Sequence, residues 1–151
     1  IERVHLPFDE IIKELQEDLS HNPLSRLQHI LTRGLELIQN DEHTLRVFEI
    51  VCLKVEANDE MSAVMVKREE SRQAFIALIE KEISSAIQAQ LIRADQHPHL
   101  IALAYHSMLD GLIYNWMLKP ENFNLMQAGQ VASQIFIDGL QAAPRPSASL
   151  T

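Results

Sequence analysis

Apolar side chains recur every three or four residues along most of this 151-residue sequence. Such spacing places them on one face of an α-helix, as in helices that pack around a shared core. No window alternates apolar and polar residues as a half-buried β-strand does. The pattern therefore predicts an all-α fold, an antiparallel bundle of about six helices. We expect them at about residues 1–19, 22–38, 42–57, 61–91, 97–118 and 125–142.

Local signals mark where some of these predicted segments begin and end. Asn22 precedes Pro23, which is an N-cap followed by proline at the first helical position. The first helix starts at Ile1 with its apolar stripe already running and no cap before it, which indicates a helix cut from something longer. Residues 143–151 consist mainly of small residues and proline, and we expect them to be disordered.

Composition and charge narrow the class of protein. Thirteen Lys and Arg against 21 Asp and Glu give a net charge of −8, which disfavours direct binding of nucleic-acid phosphates. The sequence has no membrane-spanning run and no signal peptide, so we expect no membrane interaction and a cytoplasmic location. The single cysteine, Cys52, excludes a disulfide scaffold. We expect it to be a small buried or pocket-lining residue rather than a nucleophile.

Motifs that carry chemistry are scarce. The sequence contains no nucleotide-binding, hydrolase or metalloprotease motif. A di-iron site in a helical bundle needs two Glu-x-x-His motifs, whereas only Glu2 to His5 matches. No metal, cofactor or catalytic residue is therefore predicted. A helical enzyme that uses Asp110, His106 and Arg72 as acid and base is a distant alternative, because their spacing supports no reaction class.

Five polar or small residues interrupt the apolar faces, and each leaves two interpretations. Arg68 and Arg72 either pair with a carboxylate on a neighbouring helix or form the polar wall of a ligand cavity. Gly34 permits either close helix packing or room for a ligand. Asp110 is the strongest functional candidate, although structural pairing explains it equally well. His106, one turn before it, is either a satisfied core histidine or a pocket residue.

Three stretches of the sequence resemble segments of one family in the same order. Residues 46–61 (RVFEIVCLKVEANDEM) are similar to the third-helix segment and following turn in the C-terminal domain of TetR-family transcriptional repressors. The subgroup with the greatest resemblance is that of the AcrR/TtgR-like multidrug regulators. Residues 22–27 (NPLSRL) resemble its D-P-L-x-x-L helix start, and residues 108–116 (MLDGLIYNW) resemble its Y-x-x-G-L-x-x-x-W motif.

The resemblance implies a ligand-binding and dimerisation domain over residues 1–142, in which residues 1–20 correspond to the helix that leads from an N-terminal DNA-binding domain. That domain is not in the sequence, so contact with DNA is expected only through it. Phe48 and Cys52 stand where close relatives have polar residues, which makes this pocket wall more apolar. The pocket positions carried over from the family are Leu27, Ile30, Leu31, Gly34, Phe48, Cys52, Arg72, Phe75, Leu78, Ile79, His106, Leu109, Asp110 and Ile113.

The last two predicted helices resemble the dimer interface of the family. Its candidate contacts are Tyr105, Leu112, Trp116, Val131, Ile135 and Phe136. The resemblance thus implies a homodimer that binds a small hydrophobic or aromatic effector and controls an efflux or detoxification gene. The alternative is a helical dimerisation or interaction module that has no small-molecule pocket.

Overall fold

The computed structural model describes residues 8–18, 22–43, 45–46, 49 and 59–144. Within these ranges the chain is entirely helical apart from turns and connections, which confirms the predicted all-α class. The helices are α1 (Phe8–Glu17), α2 (Pro23–Asn40), α3 (Asp59–Gln88), α4 (Pro98–Leu118) and α5 (Leu125–Gln141), with a 3₁₀ turn at Pro120–Asn122.

The helix predicted at residues 42–57 lies mostly outside the described residues. Its described positions, residues 42, 43, 45, 46 and 49, are helical. The partly buried Leu45 packs against the core formed by the other helices. Of the predicted tail at residues 143–151, residues 145–151 also lie outside the described part of the chain.

Asparagine side chains cap two of the helices, and one of them, Asn22, is the N-cap that the sequence predicts. The side-chain oxygen of Asn22 accepts hydrogen bonds from the backbone N–H groups of Leu24 at 3.0 Å and Ser25 at 3.4 Å. Asn124 does the same for the N–H of Gln127 at 2.9 Å, at the start of α5. Each side chain satisfies donors that have no partner within the helix, and so fixes where the helix begins.

Helix α3 ends at Gln88, three residues before the predicted end at residue 91. The cause is Gln90, whose φ of 58° places it in the left-handed region that ends helices. The N–H of Leu91 then bonds back to the carbonyl of Ala86 at 2.9 Å. Two residues on, the N–H of Arg93 donates to the carbonyl of Leu140 at 2.7 Å, which ties this turn to the end of α5.

The core lies where α2, α3, α4 and α5 face one another, and α1 covers one side of α2. Ile11 and Leu15 are the residues by which α1 joins it. The other fully buried large side chains are Leu27, Ile30, Leu31, Leu35, Ile79, Ile83, Tyr105 and Leu125. Burial of each such aliphatic side chain contributes roughly 1.5–3 kcal/mol to folding. None of the described helices is long and apolar enough to cross a lipid bilayer.

Gly129 is the point of closest approach between α2 and α5. A Cβ atom at this position would overlap the Cδ1 atom of Leu35 and lie 3.3 Å from the Cδ2 atom of Leu31. The absence of a side chain therefore allows the two helices to pack directly against each other. Of the four glycines, Gly129 is the one at which an added side chain would clash with the neighbouring helix.

Candidate ligand-binding site

Three residues from three helices meet at the centre of the candidate site. Gly34 on α2 faces Leu109 on α4 and Phe75 on α3. A Cβ atom at residue 34 would lie 3.7 Å from the Cδ2 atom of Leu109 and 3.8 Å from the Cζ atom of Phe75. These are ordinary van der Waals distances, so a methyl group fits here and a larger group would need the neighbours to move. All three residues were pocket candidates from the sequence.

An aromatic contact extends this cluster toward polar groups. The rings of Phe75 and His106 meet edge to face, with 5.6 Å between centroids. His106 is buried, and its Nδ1 atom lies 3.7 Å from the Oδ2 atom of Asp110, one turn further along α4. The Asp110 side chain is one-third exposed. The cluster therefore changes from apolar at Gly34 to polar and solvent-accessible at Asp110.

Burial lowers the pKa of His106 below its usual value. The positive charges of Arg72 and Arg68 lower it further, whereas the carboxylate of Asp110 acts in the opposite direction. His106 is consequently neutral at pH 7, with one ring nitrogen able to donate a hydrogen bond and the other able to accept one. A neutral imidazole beside Phe75 can interact with an uncharged polar group of a bound molecule.

Arg72 forms the expected ion pair, but with a carboxylate on its own helix. Its Nε and Nη2 atoms donate to the two carboxylate oxygens of Glu69 at 2.9 and 2.8 Å. These hydrogen bonds hold the pKa of the exposed Glu69 at about 2. They also raise the pKa of Arg72, and the negative charge of Asp110 on α4 acts in the same direction.

The other pocket candidates fall into three groups. Phe48 and Cys52 lie outside the described residues. Leu78 is half-buried against the core. The other candidates are core residues with 4% or less of their surface exposed, namely Leu27, Ile30, Leu31, Ile79, Leu109 and Ile113. Contacts thus join Gly34, Phe75, His106, Leu109 and Asp110 to one another, whereas Arg72 pairs with Glu69 and most of the aliphatic candidates lie buried in the core.

A second feature was not predicted from the sequence. A half-open cleft of about 270 Å³ lies between α2 and α5. It is lined by Gln28, Leu31, Thr32, Gln130, Ser133 and Gln134. Its lining is mostly uncharged and polar, so a search for interrupted apolar faces does not detect it.

The candidate dimer contacts also separate into groups. Tyr105 has no exposed surface, which corrects its assignment to an interface. Its hydroxyl donates to the carbonyl of Leu27 at 3.0 Å and lies 3.0 Å from the Oγ atom of Ser133. Burial raises the pKa of this hydroxyl to about 12. It therefore joins α2, α4 and α5 inside a single subunit.

The other five interface candidates are accessible to different degrees. Leu112, Trp116 and Phe136 are half-buried against the core of their own chain. Val131 and Ile135 on α5 are 55% and 68% exposed. Helix α4 adds exposed apolar residues that the sequence reasoning missed: Leu100, Leu103, Tyr114 and Leu118. Their successive spacings of 3, 11 and 4 residues place them on one side of a helix and mark a second apolar face of α4, and this spacing is visible in the sequence.

Residues 22–142 match the family model described as the C-terminal region of MAATS-type transcriptional repressors. The chain belongs to the TetR family of transcriptional repressors. The predicted family is thereby confirmed, and its members are transcriptional regulators rather than enzymes.

Two relatives illustrate the extent of the match. The chain is 28% identical to the HTH-type transcriptional regulator AcrR of Shigella flexneri over 116 residues, which are 77% of this chain and 54% of AcrR. It is 24% identical to the HTH-type transcriptional regulator TtgR of Pseudomonas putida over 149 residues, which are 95% of this chain and 69% of TtgR. The chain thus spans about half the length of the first of these TetR-family relatives.

Solved structures of other regulators have the same fold. NalD of Pseudomonas aeruginosa, the secondary repressor of the MexAB-OprM multidrug efflux pump, superposes with a TM-score of 0.75 at 20% identity, over 91% of this chain and 69% of NalD. FadR of Bacillus subtilis in complex with stearoyl-CoA superposes with a TM-score of 0.69 at 13% identity, over 87% of this chain and 67% of FadR. At these identities the likeness establishes the fold alone.

Proposed function

We propose that this chain is the ligand-sensing and dimerisation region of a TetR-family repressor. The observation that carries the proposal is the meeting of Gly34, Phe75 and Leu109, which bring α2, α3 and α4 together and leave room for a methyl group at residue 34. His106 and Asp110 give this apolar centre a polar edge. Mostly apolar lining with a few placed polar groups is the usual chemistry of small-molecule sites. The effector is therefore a small hydrophobic or aromatic, drug-like molecule.

The proposed mechanism is a shift between two arrangements of the helices. An effector that binds one arrangement of α1 more tightly than another increases the population of the first. In the full-length dimer, α1 leads toward the DNA-binding domain, so its position sets the separation of the two DNA-reading helices. That separation must match half-sites about one helical turn apart. Effector binding then releases operator DNA and derepresses an efflux or detoxification gene, in a cytoplasmic setting.

The similar regulators support a hydrophobic effector without identifying the molecule. NalD represses a multidrug efflux pump, and FadR was crystallised with stearoyl-CoA, whose acyl chain is long and apolar. An apolar ligand of this kind suits a site bordered by buried aliphatic side chains. The similarity to AcrR and TtgR supports the same regulatory role.

The dimer part of the proposal uses the exposed apolar faces of α4 and α5. Val131 and Ile135 project from α5, beside Gly139, around which no side chain of the same subunit lies within 4 Å. Leu100, Tyr114 and Leu118 are their counterparts on α4. Contiguous exposed apolar residues on a soluble protein mark interaction surfaces. A second copy packed on these faces would bury them in a symmetric interface.

The experiment is a thermal-shift screen of the chain against hydrophobic antibiotics, flavonoids and dyes. A compound at about 100 times its Kd stabilises the folded state by roughly 2.7 kcal/mol, which raises the melting temperature by several degrees. We expect at least one class of compound to do so in a concentration-dependent manner. If no compound shifts the melting temperature and a ligand-free crystal structure shows a filled core, the sensor proposal fails.

One observation favours a second candidate function, a dimerisation module without a pocket. Six of the pocket candidates are already packed in the core with 4% or less of their surface exposed. A drug-sized ligand needs a cavity of about 300 Å³ or more. The crystal structure of the chain with and without a bound compound separates the two functions, because only a sensor opens such a cavity beside Gly34.

A further inference from the structure

One guanidinium group joins three parts of the fold at the end of α1. Arg26, in the first turns of α2, donates from Nη1 to the carbonyl of Leu15 at 2.6 Å and from Nε to Oε1 of Glu82 at 2.9 Å. Its Nη1 atom also lies 3.8 Å from Oδ2 of Asp18, just after α1. Leu15 belongs to α1 and Glu82 to α3. The planar fork of arginine suits this arrangement, because it donates in two fixed directions at once.

Each contact of Arg26 fulfils a need of its partner. Leu15 lies in the last turn of α1, where backbone carbonyls lack an N–H donor four residues further along the helix, and its carbonyl otherwise accepts only a long hydrogen bond, 3.4 Å, from the N–H of Asp18 among the described backbone groups. Glu82 has only 3% of its surface exposed, and a buried carboxylate requires a paired cation. One guanidinium group makes both hydrogen bonds. If α3 moves and Arg26 stays bonded to Glu82, the hydrogen bond from Arg26 to the carbonyl of Leu15 must therefore change.

The junction lies close to the candidate ligand site. Glu82 is three residues, or about one helical turn, beyond Ile79 on α3. Arg26 precedes Leu27 and lies one turn before Ile30 on α2. These three aliphatic residues are buried in the core, and along α3 and α2 they lie between the junction and the site residues Phe75 and Gly34. A displacement of α3 relative to α2 at the site is therefore transmitted directly to the Arg26–Glu82 pair.

We propose that Arg26 is the positioning residue that transmits occupancy of the ligand site to α1. The inference rests on the proposed function and specifies how the site is connected to the helix that leads toward the DNA-binding domain. A ligand that changes the spacing of α2 and α3 changes the geometry at Glu82, and the same guanidinium then shifts its hydrogen bond to the carbonyl of Leu15. Arg26 makes no contact with the ligand.

A second arginine on α2 provides a matched control. Arg33 donates to Glu14 on α1 at 3.0 and 3.1 Å, and to Glu36 on its own helix at 2.7 Å. His29 lies 2.7 Å from the same Glu14. This cluster holds α1 to α2 but has no recorded partner on α3 among the described residues. It therefore tests whether any contact between α1 and α2 is enough to transmit ligand binding to α1, or whether a connection to α3 is required.

The experiment measures amide hydrogen exchange of residues 8–17 by mass spectrometry, with and without the neutral apolar dye Nile red. The proteins are the unmodified chain, Arg26→Gln and Arg33→Gln. We expect Nile red to change exchange in α1 by about threefold or more in the unmodified chain and in Arg33→Gln. In Arg26→Gln the dye should still bind, with an affinity within about twofold as read by its fluorescence, while the response of α1 disappears. A merely structural role would change basal exchange but leave the response intact, and that result would overturn the proposal.

Two further variants keep the test decisive. If Arg26→Gln does not fold because Glu82 is left without its partner, Arg26→Met/Glu82→Leu replaces the pair by apolar residues, an exchange that buried ion pairs commonly tolerate. If Nile red does not bind, the sensor proposal loses support for this ligand class. Gly34→Leu then supplies extra atoms between Phe75 and Leu109 in place of a ligand. We expect Gly34→Leu to change hydrogen exchange in α1 when Arg26 is present, and to leave it unchanged when it is combined with Arg26→Met/Glu82→Leu. An equal change in both proteins would overturn the inference.

Discussion

The edge of the Phe75 ring meets the ring of His106, with 5.6 Å between centroids and an angle of 65° between the planes. This contact joins α3 to α4 and places a titratable group against an apolar one. The environment disfavours the charged imidazole, because burial and two nearby arginines all lower its pKa. Phe75 thus supplies the aromatic surface of the candidate site, and His106 makes the charge of the site depend on pH.

The first expectation concerns the loss of folding stability in acid that His106 causes. The pKa of His106 is lowered in the folded state, so the unfolded chain binds the extra proton more readily. Its contribution to stability is therefore complete above the unfolded pKa of about 6.5 and is lost as pH falls through that value toward the folded pKa. Urea unfolding at about pH 7.5 and about pH 5.5 should show a smaller loss of unfolding free energy in His106→Asn than in the unmodified chain. His43→Asn, at an exposed position, is the control. Equal losses in His106→Asn and the unmodified chain would contradict the assignment.

The second expectation concerns the hydroxyl of Tyr105. Tyr105→Phe removes a buried hydrogen bond to Leu27 and leaves Ser133 with one contact fewer, which should lower the free energy of unfolding by about 1–2 kcal/mol. The raised pKa of about 12 means that the folded state keeps the phenol protonated. Stability should then fall as pH rises from about 10 toward 12, and Tyr105→Phe should lack that fall. Tyr114→Phe, at a 41% exposed position, should change neither quantity.

The third expectation compares two helical glycines. Gly129→Ala should destabilise the fold by about 1–3 kcal/mol, because its methyl group overlaps Leu35. Gly34→Ala should stabilise it by up to about 1 kcal/mol, because the methyl group fits and alanine favours the helix. Denaturant unfolding of both variants measures the difference. A stabilising Gly129→Ala would show that α2 and α5 are further apart than the structure has them.

The fourth expectation concerns the exposed face of α5. Ile135→Glu places a charge on a residue that is 68% exposed in the single chain, so the subunit should keep its fold while the dimer dissociates. Sedimentation velocity should show a dimer for the unmodified chain and a monomer for the variant. Val66→Glu, on a 60% exposed residue of α3, should remain dimeric. If Ile135→Glu also remains dimeric, the interface lies elsewhere.

The fold was predictable to the extent that local chemistry determines it. Asn22 and Pro23 mark the start of α2 by themselves, because an N-cap side chain and a fixed φ act within one turn. The early end of α3 was not predictable, since a glutamine rarely adopts the left-handed conformation of Gln90. That conformation depends on tertiary contacts such as the one between Arg93 and Leu140.

Many residues of the candidate site could be named from the sequence, but most of the contacts between them could not. Helix α4 is apolar on two faces, so periodicity alone does not decide whether Tyr105 points inward or outward. Its burial follows from the carbonyl of Leu27 and the hydroxyl of Ser133, which lie on other helices. The partner of Arg72 was available in the sequence, since Glu69 is three residues earlier on the same helix. The contacts of Arg26 with Leu15 and Glu82 span 11 and 56 residues, and only the folded chain brings them together.

The most direct measurement of the central claim is the Kd of one thermal-shift hit for three proteins, by calorimetric titration. They are the unmodified chain, Gly34→Leu and Ala77→Leu. Gly34→Leu places a bulky side chain against Phe75 and Leu109, which must move to admit it, whereas Ala77→Leu adds similar atoms to an exposed position of α3. A ligand that binds among α2, α3 and α4 should bind Gly34→Leu about tenfold or more weakly, and Ala77→Leu as tightly as the unmodified chain. An unchanged Kd in Gly34→Leu, with the variant folded, would contradict a ligand site at this position.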